Sequence, residues 1–111
     1  MLELNLNVGR ETECRAFIDE MSIAARSEPG TLDFEWSVSA DGVGYHVFER
    51  YSDSAAVGTH LGAFGEKFAA RFRDIFKCVR LVVYGAPNPE VKAALAGLNP
   101  IYMQPAGGFS R

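Results

Sequence analysis

Two histidines, His46 and His60, are the side chains of this chain that titrate near neutral pH. His60 falls three residues after Val57 and four before Phe64, so on a helix it borders an apolar stripe. An imidazole at the rim of a pocket can take up and return a proton during a reaction. In the same place it can equally bond a backbone carbonyl or cap a turn. His46 lies beside Phe48 and Arg50. Its spacing to His60 fits no metal motif and no third ligand is evident, so no metal site is expected. Glu49 and Tyr51 alternate on one side of a strand, where they either face a cavity or line a solvated edge. Phe34, Trp36, Phe64, Phe68 and Phe72 can line a cavity for a flat aromatic ligand, or can form ordinary core. Cys14 and Cys78 fit no metal spacing and read as small, reduced, buried apolar residues, with a disulfide or a reactive thiol as the alternative. There is no glycine-rich phosphate loop, because Gly107-Gly108 opens no helix and follows no strand. There is no nucleophilic Ser or Cys elbow either.

The elements that must position these groups follow from periodicity. Leu2, Leu4, Leu6 and Val8 alternate with polar residues, which predicts a strand over Leu2–Val8. Cys14, Phe17, Ile18, Met21 and Ala25 recur at helical spacing and predict a helix over Glu11–Arg26. Glu11 and Glu13 in its first turn and Arg26 in its last suit the helix dipole, and Pro29 stops it. Thr31–Ser39 and Val43–Tyr51 read as strands joined at Ala40-Asp41-Gly42, whose Asp-Gly pair tolerates positive φ. Val57, Leu61, Phe64, Phe68, Phe72 and Ile75 predict one long helix over Asp53–Phe76, with Asp53 as its cap. Gly58, Gly62 and Gly65 weaken its first half and imply a break, a loose turn, or a close approach to the backbone. Cys78–Tyr84 reads as a fourth strand. Asn88 and Pro89 open a short helix over Glu90–Ala96. The tail from Leu98 reads as irregular, yet Ile101, Tyr102, Met103 and Phe109 are apolar enough to lie against the body or a partner subunit.

This order predicts an α+β, ferredoxin-like domain over residues 1–87: a four-stranded antiparallel sheet with both main helices on one face. Residues 88–111 add a short helix and a packed tail. The return strand mixes apolar and polar groups on both sides, so the open sheet face calls for a second cover, most simply another copy of the chain. With 11 basic and 14 acidic residues, a net charge of −3 and no basic run, nucleic acid and anionic membranes are disfavoured. No apolar run approaches a membrane span, and Met1–Asn5 lacks the basic start and apolar stretch of a signal peptide, so a cytoplasmic address is expected.

Glu28-Pro29-Gly30-Thr31-Leu32 after a helix, Phe48–Asp53 running into Ala55-Ala56 and Thr59-His60-Leu61, and Val83-Tyr84-Gly85 closing the last strand carry a resemblance. Across Leu2 to Pro87 the chain resembles the antibiotic biosynthesis monooxygenase (ABM) domain of the dimeric α/β-barrel superfamily. Its tail is similar to that of a subset of quinol or antibiotic monooxygenases. The resemblance implies a homodimer with two sheets face to face and a pocket in each subunit between sheet and helices. It further implies oxidation of a small aromatic quinol or polyphenol by dioxygen without metal, flavin or haem. His60 is then the acid–base group. From residue type, Trp36 and Phe64 would hold the ring, with Phe34, Glu49, Tyr51 and Phe68 around it, and Arg50 or Arg80 would steady the anion. Haem-degrading relatives carry a histidine further along this helix. Here Ala69-Ala70 occupy that region, so haem is not expected. The competing reading is a non-catalytic homodimer that binds a small aromatic or hydrophobic molecule as a stress or sensor module.

Overall fold

Alternation and capping account for most of the architecture. The computed structural model describes residues 1–111. In chain order it has β1 (Leu2–Leu6), α1 (Glu11–Arg26), β2 (Thr31–Val38), β3 (Gly44–Tyr51), α2 (Ser54–Lys67), α3 (Ala69–Ile75), β4 (Phe76–Tyr84), α4 (Pro89–Leu95) and β5 (Ile101–Met103). The five strands form one sheet in the order β2-β3-β1-β4-β5. The first four in that order pair antiparallel, and β5 runs parallel to β4. The layout is α+β and ferredoxin-like. No helix is long and apolar enough to cross a membrane.

Helix α1 forms where its stripe predicts, and it buries Cys14, Phe17, Met21 and Ala25 against the sheet. The hairpin loop also follows its sequence. Gly42 takes φ +76, and the Asp41 carboxylate accepts from the Ser39 hydroxyl at 2.6 Å and the Val43 N–H at 3.0 Å. The first strand is shorter than its alternation suggests. The Asn7 amide turns away to donate to the Asp74 carbonyl at 3.0 Å, which leaves Val8 wholly exposed.

The long helix divides, but not in its glycine-rich half. Gly58, Gly62 and Gly65 all lie within a continuous α2, and the break falls at Phe68, whose φ of −124 leaves the helical region. The apolar stripe continues through the break because Phe68 is itself core, with its ring 6.0 Å from Phe17 of α1. The helical dihedrals are interrupted there while the buried face carries on. None of the three glycines has an atom within 4 Å of where a Cβ would stand, so close packing does not require them. Phe76 opens β4 instead of ending the helix.

The main core is Leu4, Cys14, Phe17, Met21, Val47, Phe68, Ile75 and Phe76. A second, smaller core of Leu81, Val91 and Leu95 gathers Val57 and Leu61 of α2 beneath α4. Helix α2 therefore rests on both. The tail is more regular than its prolines and glycines suggest. Ile101–Met103 pair with Val82–Tyr84, and Gly85 N–H donates to the Met103 carbonyl at 3.0 Å. Lys92 Nζ lies 5.5 Å from the Tyr102 ring centre. Phe109 stays 84% exposed.

Candidate functional site

Strand alternation sends Glu49 and Tyr51 of β3 to the helix-covered face, together with Val47. Phe34 of β2 stands opposite Glu49 in register. Asp53 starts α2 by accepting from the Ala56 N–H at 2.8 Å, and two turns later His60 comes down onto this patch. Glu28 arrives from the turn after α1. Thr31 N–H closes that turn on the Glu28 carbonyl at 3.1 Å, and Gly30 lets it press against α2. A Cβ on Gly30 would stand 2.5 Å from the Ala56 Cβ.

His60 sits between two carboxylates. Its Nδ1 is 2.7 Å from Glu28 Oε1 and its Nε2 is 3.2 Å from Glu49 Oε1. The three side chains are only 10%, 13% and 21% exposed in the order His60, Glu28, Glu49. Thr31 Oγ1 donates to Glu28 Oε1 at 2.8 Å, and the Tyr51 hydroxyl donates to Glu49 Oε1 at 3.0 Å. Burial is the strongest single influence on His60 and disfavours its cation. Hydrogen bonds and charge from Glu49 and Glu28 outweigh it, and the imidazole titrates above its usual 6.5. Burial, then the Glu49 charge and hydrogen bond, push the Tyr51 phenol far above 10, so it remains a donor. The carboxylates engage opposite ring nitrogens and so do not converge on one point. With an acceptor on each nitrogen, the imidazole is stable as a doubly protonated donor that can pass a proton to either side.

Phe34, Tyr51 and Phe64 wall the imidazole, with ring centres 5.7, 5.5 and 6.4 Å from it. A cavity of about 10 Å³ opens between Glu28, His60, Phe34, Phe64 and α1, room for about one water molecule. On the far side of α2, a cleft of about 410 Å³ runs along Ala55, Gly58, Leu61 and Gly62, facing Val91 and Ala94 of α4. Two of its polar groups, Ser54 and Asn88, are committed to structure. Ser54 Oγ accepts from the Asn88 N–H at 3.0 Å, and Asn88 Oδ1 caps α4 at Val91.

The structure thus gathers His60, Glu49, Tyr51, Phe34 and Phe64. It places Phe68 in the main core, where it also walls the small cavity beside His60, and Trp36 two residues from Phe34 along β2, packed on Phe34, Tyr45 and Phe76. It does not bring Arg50 and Arg80 to the site. Arg50 follows the alternation of β3 onto the open sheet face, where it pairs with Asp33. Arg80 reaches that face through a register shift between β1 and β4 after Cys78, and pairs there with Glu3 at 3.1 Å. Glu28 is the residue that sequence reasoning passed over, having served only as part of a turn signature. Its signal is its phase: it stands three residues after Ala25 and seven after Met21, so a carboxylate continues the buried stripe of α1.

No family model matches the chain, and no curated protein matches it. Among solved structures it is similar to MupZ from Pseudomonas fluorescens, with 22% identity over 99% of this chain and 85% of that one and a TM-score of 0.85. It is also similar to Rv0793 from Mycobacterium tuberculosis, with 18% identity over 99% of this chain and 93% of that one and a TM-score of 0.51. At these identities the likeness speaks to the fold alone, and it agrees with the ferredoxin-like layout.

Proposed function

We propose that the protein is a general acid–base enzyme acting on a small aromatic hydroxyl compound, a quinol or polyphenol, which it deprotonates for reaction with dioxygen, in the manner of the ABM family. One observation carries this reading: a buried imidazole held between two carboxylates and walled by aromatic rings. In its neutral form, present above its raised pKa, His60 takes the substrate hydroxyl proton on the ring nitrogen that then lacks one, Glu28 and Glu49 stabilise the resulting cation, and Thr31 and Tyr51 orient the carboxylates. The rings around His60 exclude bulk water from the anion. A quinol then supplies two electrons from its hydroxyls and two from one ring C–H bond. Dioxygen takes all four, leaving one oxygen atom on the product quinone and the other in water.

The homodimer belongs to the same proposal. Phe48 and Val79 are each 48% exposed, and Phe48 shares the open sheet face with the Arg50–Asp33 and Arg80–Glu3 ion pairs. A face with apolar centres and charges of both signs is suited to pairing with its own copy.

Dioxygen uptake with a panel of quinols and polyphenols tests the activity. Turnover is expected in the wild type, with a loss of about a hundredfold or more in His60→Gln. Ligand binding with no turnover on any of them would favour the sensor module, and unchanged turnover in His60→Gln would remove the imidazole from the mechanism.

A further inference from the structure

The aromatic side chains beside His60 close into a circuit. From His60 it runs to Phe64 at 6.4 Å, Phe72 at 5.2 Å and Phe76 at 5.3 Å between successive ring centres. It returns through Trp36 at 5.5 Å and Phe34 at 6.1 Å, and closes on His60 at 5.7 Å. Three members stand on the sheet and three on the helices either side of the break at Phe68. Apart from the imidazole, the circuit contains one polar atom, Trp36 Nε1. That atom is buried and meets no acceptor in the protein.

A buried donor without an acceptor costs folding free energy, and native proteins keep few of them. A phenylalanine here would supply the same aromatic contacts without that cost. The retained N–H is explained if an acceptor arrives with a ligand. Its position suits that. Trp36 and Phe34 share the helix-covered face of β2 two residues apart, about 7 Å along the strand, and Phe34 lies against the imidazole.

We propose that Trp36 Nε1–H is the second polar anchor of the substrate. It donates to a carbonyl or phenolic oxygen at one end of an aromatic molecule whose ionising hydroxyl lies at His60 and Glu28. The site thereby selects ring systems carrying oxygen at both ends over those carrying it at one. This rests on the acid–base reading of His60 and adds a specificity-determining residue to it.

The chain has a single tryptophan, so ¹⁵N-labelled protein gives one indole N–H signal. It is titrated under nitrogen with naphthohydroquinone, which has two oxygens, and with naphthol, which has one. The expected result is a downfield shift of that signal with naphthohydroquinone only, and about tenfold tighter binding of it than of naphthol. Trp36→Phe should bring the two affinities to within about twofold. An indole signal unmoved by bound naphthohydroquinone, discrimination surviving in Trp36→Phe, or no binding of either probe overturns the proposal. The signal shift is read in unmodified protein, so the test does not depend on the variant folding. Dioxygen uptake by His60→Gln separates the two readings. A lost rate with an unmoved indole signal sinks only the anchor, and a shifted signal with an unchanged rate sinks only the acid–base role.

Discussion

At the scale of single residues, the site depends on one imidazole being worth more as a cation than burial alone would allow. The sign of its pH dependence follows. His60 titrates above its unfolded value in the native protein. Its charged contacts therefore stabilise the fold fully below about pH 6.5. That contribution is lost as the pH rises through the native value. Urea unfolding between about pH 6 and 9 should show wild-type stability falling relative to His60→Gln across that window. Glu28→Gln removes one of the two supporting charges, and the His60 ring titration, followed by NMR, should move down. An unmoved titration would mean that Glu28 only occupies space. His60 was legible in the sequence because it borders an apolar stripe. Glu28 was not, because a Glu-Pro-Gly string reads as a helix stop and nothing local shows that the stop is buried against a helix met 32 residues later.

At the scale of elements, α2 carries the imidazole and also three glycines that weaken it as a helix. It has a packed face toward the sheet and an open cleft behind it. A cavity of about 10 Å³ is far below the roughly 300 Å³ at which small-molecule pockets begin, so a substrate of the proposed kind would require α2 to draw back. The cleft of about 410 Å³ on its other side gives it room to do so. The glycines bear on this with opposite signs. Gly62→Ala meets nothing and should stabilise the protein by up to about 1 kcal/mol through helix propensity. Gly30→Ala drives a Cβ into Ala56 and should destabilise it by about 1–3 kcal/mol. Chemical denaturation of both variants checks the pair, and equal signs would contradict the geometry. Helix α1 and the hairpin were legible because stripe, caps and turn chemistry agree. The division of the second helix at Phe68 was not, because a side chain that keeps the stripe in phase conceals an interruption of the helical backbone.

At the scale of the whole molecule, the sheet has one face under helices and one face open. Phe48→Asp should leave the helix-covered core intact. If two copies meet through this face, the variant should sediment as a single subunit where the wild type sediments as a pair, and a wild-type monomer at working concentration would refute the pairing. The four-stranded antiparallel plan was legible from the order of alternating and striped segments. The fifth strand was not. Ile101, Tyr102 and Met103, set between Pro100 and Gln104, are too few to show a period, and a parallel partner is fixed only by the tertiary fold. That short strand also has a protective consequence. Without Ile101–Met103, the Val82–Tyr84 edge of β4 would present a row of unpaired peptide groups, the kind of template on which stray chains polymerise. A three-residue cover, with Pro100 before it and Pro105 soon after, neither able to extend the ladder, ends the sheet there and keeps neighbouring molecules from continuing it.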